Sequence, residues 1–129
     1  MYVVELRQDF LNVKNRVYQV LKRSETLSIE VKKQNKELLK ELKELNKKGE
    51  NVDETYKSTD EAYRKSTYNT TDQAKKKDKL DKAHQGMANF GKKGSELLNK
   101  YKQQIGSSVS WYYQTMTSGH FTSTPSHHP

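Results

Sequence analysis

The 129-residue chain has no cysteine, and its only two prolines, Pro125 and Pro129, fall within the last five residues. The first absence excludes a disulfide framework and any thiolate zinc site. The second leaves nothing before residue 125 that forbids long, unbroken helices. Apolar residues make up 31% of the chain, against about 45–50% in ordinary globular domains, so a large core is out of reach. Nor does any stretch approach the roughly 20 apolar residues of a membrane span, and the apolar run at the start is too short for a secretory signal. The start is amphipathic and basic in the manner of a mitochondrial presequence, although Glu5 and Asp9 oppose that reading. Asn69 opens a glycosylation sequon, which matters only in a secreted protein. The expected location is intracellular, in the cytoplasm.

Charge is abundant. The chain carries 24 basic and 16 acidic side chains, for a net charge of +8 and a pI near 9.5. That excess is spread evenly through residues 1–105, and after Lys102 there is no charged side chain at all. A basic surface of this kind suits acidic partners, whether protein, anionic lipid or nucleic acid.

Apolar residues recur in steps of three and four from about Val3 to Lys47, through Leu6, Phe10, Val13, Val17, Val20, Leu27, Val31, Leu38, Leu42 and Leu45. This is the stripe of an amphipathic helix, about 65 Å long at about 1.5 Å per residue. Ser24 interrupts the heptad, and the stretch from Val31 to Leu38 carries an extra four-residue step. The segment KKGEN then predicts a turn over 48–51, with Gly49 as the residue past the helix end and Asn51 opening the next helix. A second helix is expected over 52–105. It begins with a stripe of small residues and sharpens into Leu80, Ala83, Met87, Phe90, Gly94, Leu97 and Tyr101. Gly86, Gly91 and Gly94 predict a kink or break near 86–94, since each disfavours helix by about 1 kcal/mol relative to Ala. The expected fold is therefore all-α, an elongated antiparallel hairpin over 1–105 resembling a coiled coil, followed by a tail over 106–129.

That tail differs from everything before it. Ten of its residues are Ser or Thr, and it holds Trp111, Tyr112, Tyr113 and Phe121. Aromatic side chains of this kind anchor interfaces, so the tail is read as a docking segment, or as a cap folded back onto the start of the first helix.

Catalytic and cofactor chemistry find little support. The stretch GMANFGKK, from Gly86, fits most of a phosphate-binding loop, but Lys93 stands where that loop needs Ser or Thr, and no buried strand precedes it. His84 has no His, Asp or Glu four residues away, and the closing SHHP lacks the preorganised ligands of a metal site. The carboxylates are interleaved with lysines, as in KELLKELKELNKK, which keeps them solvated and poor at acid-base work. No catalytic residue, cofactor, metal or small-molecule substrate is expected. What remains is an interface formed by Leu80, Met87, Phe90, Leu97, Tyr101 and the four tail aromatics, with Lys75, Lys79 and Lys82 on one helix face as candidate anion contacts. The function expected is that of a non-enzymatic structural or adaptor protein, docking a protein partner or a second copy. Anionic membrane is the alternative through the lysine face, and nucleic acid is less favoured because the four arginines are scattered.

Overall fold

A computed structural model describes residues 2–66 and 70–106. Among them there is no strand, and nearly every residue is helical. Helix α1 spans Tyr2–Ser24, α2 Ile29–Gln34, α3 Lys36–Arg64 and α4 Thr70–Tyr101, the last continued by a single π-helical turn, Lys102–Gly106.

The expected first helix, about 3–47, is divided among α1, the short α2 and the first part of α3, with α3 running against α1. Polar side chains between Ser24 and Ser28 make the break by competing for backbone groups. The Ser24 hydroxyl donates to Leu21 O at 2.6 Å and Thr26 Oγ1 to Arg23 O at 2.8 Å, the local bonds by which Ser and Thr offer the chain an alternative to helix. Ser28 then caps α2, its Oγ accepting from Val31 N at 3.2 Å. Asn35 marks the next joint, donating from its side-chain amide to Val31 O at 2.9 Å.

Neither the expected turn nor the expected break is present. Helix α3 runs straight through 48–51, and α4 passes through 86–94 without interruption. Gly49 is buried inside α3, where a Cβ would lie 2.9 Å from the Phe90 ring. Gly94 faces Val13 of α1 so closely that a Cβ there would overlap the Val13 side chain. Both glycines admit a neighbouring helix, and the packing that follows outweighs the roughly 1 kcal/mol each costs in helix propensity.

Contacting pairs give the topology. Arg7 meets Met87, Phe10 meets Phe90 and Val13 meets Gly94, so α1 and α4 run in the same direction. Leu45 meets Gly94, Gly49 meets Phe90 and Tyr56 meets His84, so α3 runs against α4. Arg7 with Asp53 and Lys14 with Gly49 set α3 against α1 as well. The chain thus builds a bundle of three long helices with the short α2 in the first connection, in place of a two-helix hairpin.

Its core is a single cluster. Phe10 and Val17 come from α1, Leu38, Leu39, Leu42 and Leu45 from α3, and Met87, Phe90, Leu97, Leu98 and Tyr101 from α4. The wider π-helical turn brings in Ile105, which is almost wholly buried. Phe10 and Phe90 meet edge to face with ring centroids 5.1 Å apart at the centre of this seam.

Helix α1 does not reach the far ends of its partners. With Arg7 level with Asp53 and Met87, the residues of α3 beyond about 57 and those of α4 before about 80 lie past the reach of α1 and, among the described residues, face each other. This two-helix arm contains no fully buried residue among those whose burial is described.

Candidate functional site

Five of the sequence-derived interface residues are consumed inside the chain. Leu80, Met87, Phe90, Leu97 and Tyr101 are all buried, the last four in the main cluster against α1 and α3. The clean heptad of α4 is the seam of this chain's own bundle. Trp111, Tyr112, Tyr113 and Phe121 lie outside the described residues, as does Asn69. Gly106, from which the tail leaves, stands at the end of the bundle that holds Ser24 and the start of α3. The start of α1, where a folded-back cap was expected, is at the opposite end, because α4 runs parallel to α1.

Lys75, Lys79 and Lys82 are exposed on α4. Lys79 and Lys82 border a shallow groove of about 340 Å³ against α3, floored by small side chains such as Val52, Thr55 and Ala83. Lys75 stands clear of it, and Lys82 is paired with Asp78 at 3.3 Å. GMANFGKK lies wholly within α4, whose backbone N–H groups are used by the helix and cannot cradle a phosphate. His84 is partly buried with its ring 5.6 Å from that of Tyr56. No cluster of three or more His, Asp or Glu side chains able to hold a metal occurs among the described residues. No described helix is long and apolar enough to cross a membrane.

Where α1 ends against the arm, Arg7 forms a junction between the two parts of the molecule. Its guanidinium lies 2.5 Å from Asp53 Oδ1 and 4.8 Å from the centroid of the Tyr56 ring, over which it stacks. Lys57 reaches the other Asp53 oxygen at 3.3 Å. Burial alone would push the Asp53 carboxyl up, but Arg7 and Lys57 outweigh it and hold the group below its ordinary range.

Further ion pairs run along the arm. Asp60–Arg64, Glu61–Lys65, Asp72–Lys76, Lys77–Asp81 and Asp78–Lys82 are all spaced four apart on α3 or α4. Glu61 and Lys65 reinforce each other, the acid's pKa lowered and the base's raised by their hydrogen bond.

At the other end of the bundle a groove of about 700 Å³ runs between α1 and α3. Tyr18, Leu21 and Leu39 give it an apolar floor. Its walls carry Lys22, Lys32, Lys36, Lys40 and Lys43, against one carboxylate, Glu25. None of these five lysines enters an ion pair among the described residues. Lys32 Nζ donates to Glu25 O at 3.2 Å, and Lys22 Nζ lies 5.9 Å from the Tyr18 ring centroid.

The floor continues down α1. Val4, Leu11 and Tyr18 are seven residues apart and hence on one face, and they remain 64%, 38% and 50% exposed. Helix α1 therefore has two apolar faces, one spent on the core and one facing out. The seven-residue spacing is present in the sequence, but the stronger stripe through Phe10 and Val17 masks it. Likewise Lys36, Lys40 and Lys43 share a face with Leu39 beside it, yet in a segment as dense in lysine as KELLKELKELNKK no one row stands out until α1 is laid alongside.

No family model, curated protein or solved structure matches the chain.

Proposed function

We propose that this chain is a non-enzymatic helical adaptor that docks another protein on the outer face of α1 and the groove beside it. The observation that carries this reading is the second apolar stripe, Val4, Leu11 and Tyr18, left exposed on a helix whose first stripe already closes the core. Apolar side chains scattered singly are normal on a surface, but a periodic row that leads into a groove is the form taken by helix-docking sites. The arm supports the same reading by contrast, since it presents ion pairs four residues apart.

Photocrosslinking tests it. A benzoylphenylalanine placed at Leu11 or Tyr18 in the full chain, within its native cells, should give a discrete adduct with a protein. The same group at Glu61 on the arm should not. Equal labelling from all three positions, or none from Leu11 and Tyr18, removes the reading.

A further inference from the structure

We infer that the groove between α1 and α3 receives an acidic amphipathic helix of a partner protein; the inference rests on the adaptor reading above and names its partner by chemistry. The groove, of about 700 Å³, is lined by α1, α2 and α3. Its apolar floor is Tyr18, Leu21 and Leu39, and one wall is the row Lys36, Lys40 and Lys43, spaced by four and then three residues along α3. That row extends about 10 Å at about 1.5 Å per residue, matching about two turns of a helix laid alongside. Lys22 of α1 and Lys32 of α2 line it too. An apolar strip bordered by five lysines against one carboxylate, Glu25, is the complement of a helix with an apolar seam and carboxylates at the flanking positions, the arrangement by which paired helices choose partners.

Charge decides among the possible occupants. The five lysines have no ion-pair partner among the described residues, whereas seven basic side chains at the junction and along the arm each have one, Lys75 and Lys79 standing apart from these pairs. A second copy of the chain is a poor occupant, because it too carries +8 with the excess spread evenly and would set lysine against lysine. The tail beyond Lys102 has no charged residue and leaves the walls without counter-charge. Leu39 on the floor is only 9% exposed, recessed where a planar membrane surface cannot follow. No arginine lines the groove, and arginine is the side chain that most often reads nucleic acid. An acidic helix satisfies both floor and walls.

The test uses the full chain and a synthetic 21-residue helical peptide with Leu at the two seam positions of each heptad and Glu at the flanking positions. Its competitors are the same composition with the leucines scrambled, polyglutamate, and vesicles of mixed phosphatidylserine and phosphatidylcholine. Anisotropy of the labelled peptide is expected to give saturable binding at least tenfold tighter than that of the scrambled peptide. Lys36→Glu/Lys40→Glu/Lys43→Glu should weaken it at least tenfold, and Lys75→Glu/Lys79→Glu/Lys82→Glu, the same charge change on α4 away from this groove, should leave it within twofold. Circular dichroism of both triple variants confirms that each is folded. Binding equal to that of scrambled peptide or polyglutamate, equal loss in the two triple variants, or groove-dependent capture of vesicles in place of peptide each overturns the inference. If the peptide fails while Leu11 and Tyr18 still crosslink to a protein, the acidic helix falls and the adaptor survives; if both fail, the adaptor falls with it.

Discussion

The two ends of this molecule are held together by different physics. Where α1, α3 and α4 run side by side, Phe10, Val17, Leu42, Met87, Phe90 and Leu97 are sealed from water, and the five lysines of the groove outside them form no ion pair among the described residues. In the arm, where α3 and α4 continue alone, no described residue is fully buried and ion pairs four apart cover the surface. A third helix makes the difference. Two helices can shield only a narrow seam from solvent, whereas three enclose a space in which side chains lose all their water. At about 25 cal/mol per Å² of apolar area, burial dominates the three-helix end. Exposed ion pairs contribute little individually, so the arm depends on helix propensity and on being continuous with the core.

That contrast fixes an order of mutational effects. Phe90→Ala removes a ring that packs on Phe10 and over Gly49, and it should cost about 3–5 kcal/mol, read as a large fall in the urea midpoint. A loss under about 1 kcal/mol would mean that the three-helix end is not the stabilising part.

The junction comes next. Asp53→Asn should cost about 1–3 kcal/mol by leaving Arg7 without its charged partner. Because the folded-state pKa of Asp53 is lowered, its contribution is complete above the unfolded-chain value of about 3.9 and is lost as pH falls through the folded value. Wild type should therefore lose an increment of stability on acidification below pH of about 4 that the Asn variant has already lost. Parallel stability curves for the two proteins from neutral to acid pH would show that Asp53 does not tie the arm to the core.

Two glycines on α4 sharpen the comparison by sign. Gly91 has nothing within 4 Å of where its Cβ would be, so Gly91→Ala should stabilise by about 0.5–1 kcal/mol through helix propensity. Gly94→Ala gains the same propensity but drives a methyl into Val13, and it should destabilise by about 1–3 kcal/mol. Thermal melts of the pair decide the point, and equal shifts would deny the close approach of α1. The smallest effect belongs to the arm: Lys77→Ala, which breaks the 3.7 Å pair with Asp81, should change stability by no more than about 0.5 kcal/mol. Hydrogen exchange should show the same order, with amides of 57–64 and 70–79 opening before those near Leu42 and Leu97.

Several of these distinctions are legible in the order of the amino acids alone. The three-and-four spacing through Phe10, Val17, Leu42 and Leu45, and again through Leu80, Met87, Phe90, Leu97 and Tyr101, marks the residues that become core, because a helix always brings such positions to one face. The helix ends are much less legible. Gly49 and the trio Gly86, Gly91 and Gly94 carry the usual signs of interruption, yet the helices pass through all of them. The breaks among the described residues fall at Ser24–Ser28, at Asn35 and after Arg64, the last dividing the expected helix over 52–105, and no glycine stands at any of them. Local propensity is worth about 1 kcal/mol at a single residue. A ring set against a bare backbone, as Phe90 is against Gly49, outweighs it.

The candidate site divides in the same way. Its ingredients, a lysine row on α3 and the residues Val4, Leu11 and Tyr18 seven apart on α1, are properties of single helices and belong to the sequence. The groove they form exists only because α1 turns back at Ser24 and lies antiparallel to α3, so that Leu21 and Leu39 share one floor. By itself the sequence determined that the described chain is helical, that it is basic, and which faces are apolar, since these follow from residue type and a period of 3.6. Only the tertiary structure decided which apolar face is spent on the core, which lysines are left without partners, and what each glycine is for, because those depend on a neighbouring helix whose approach no local pattern encodes.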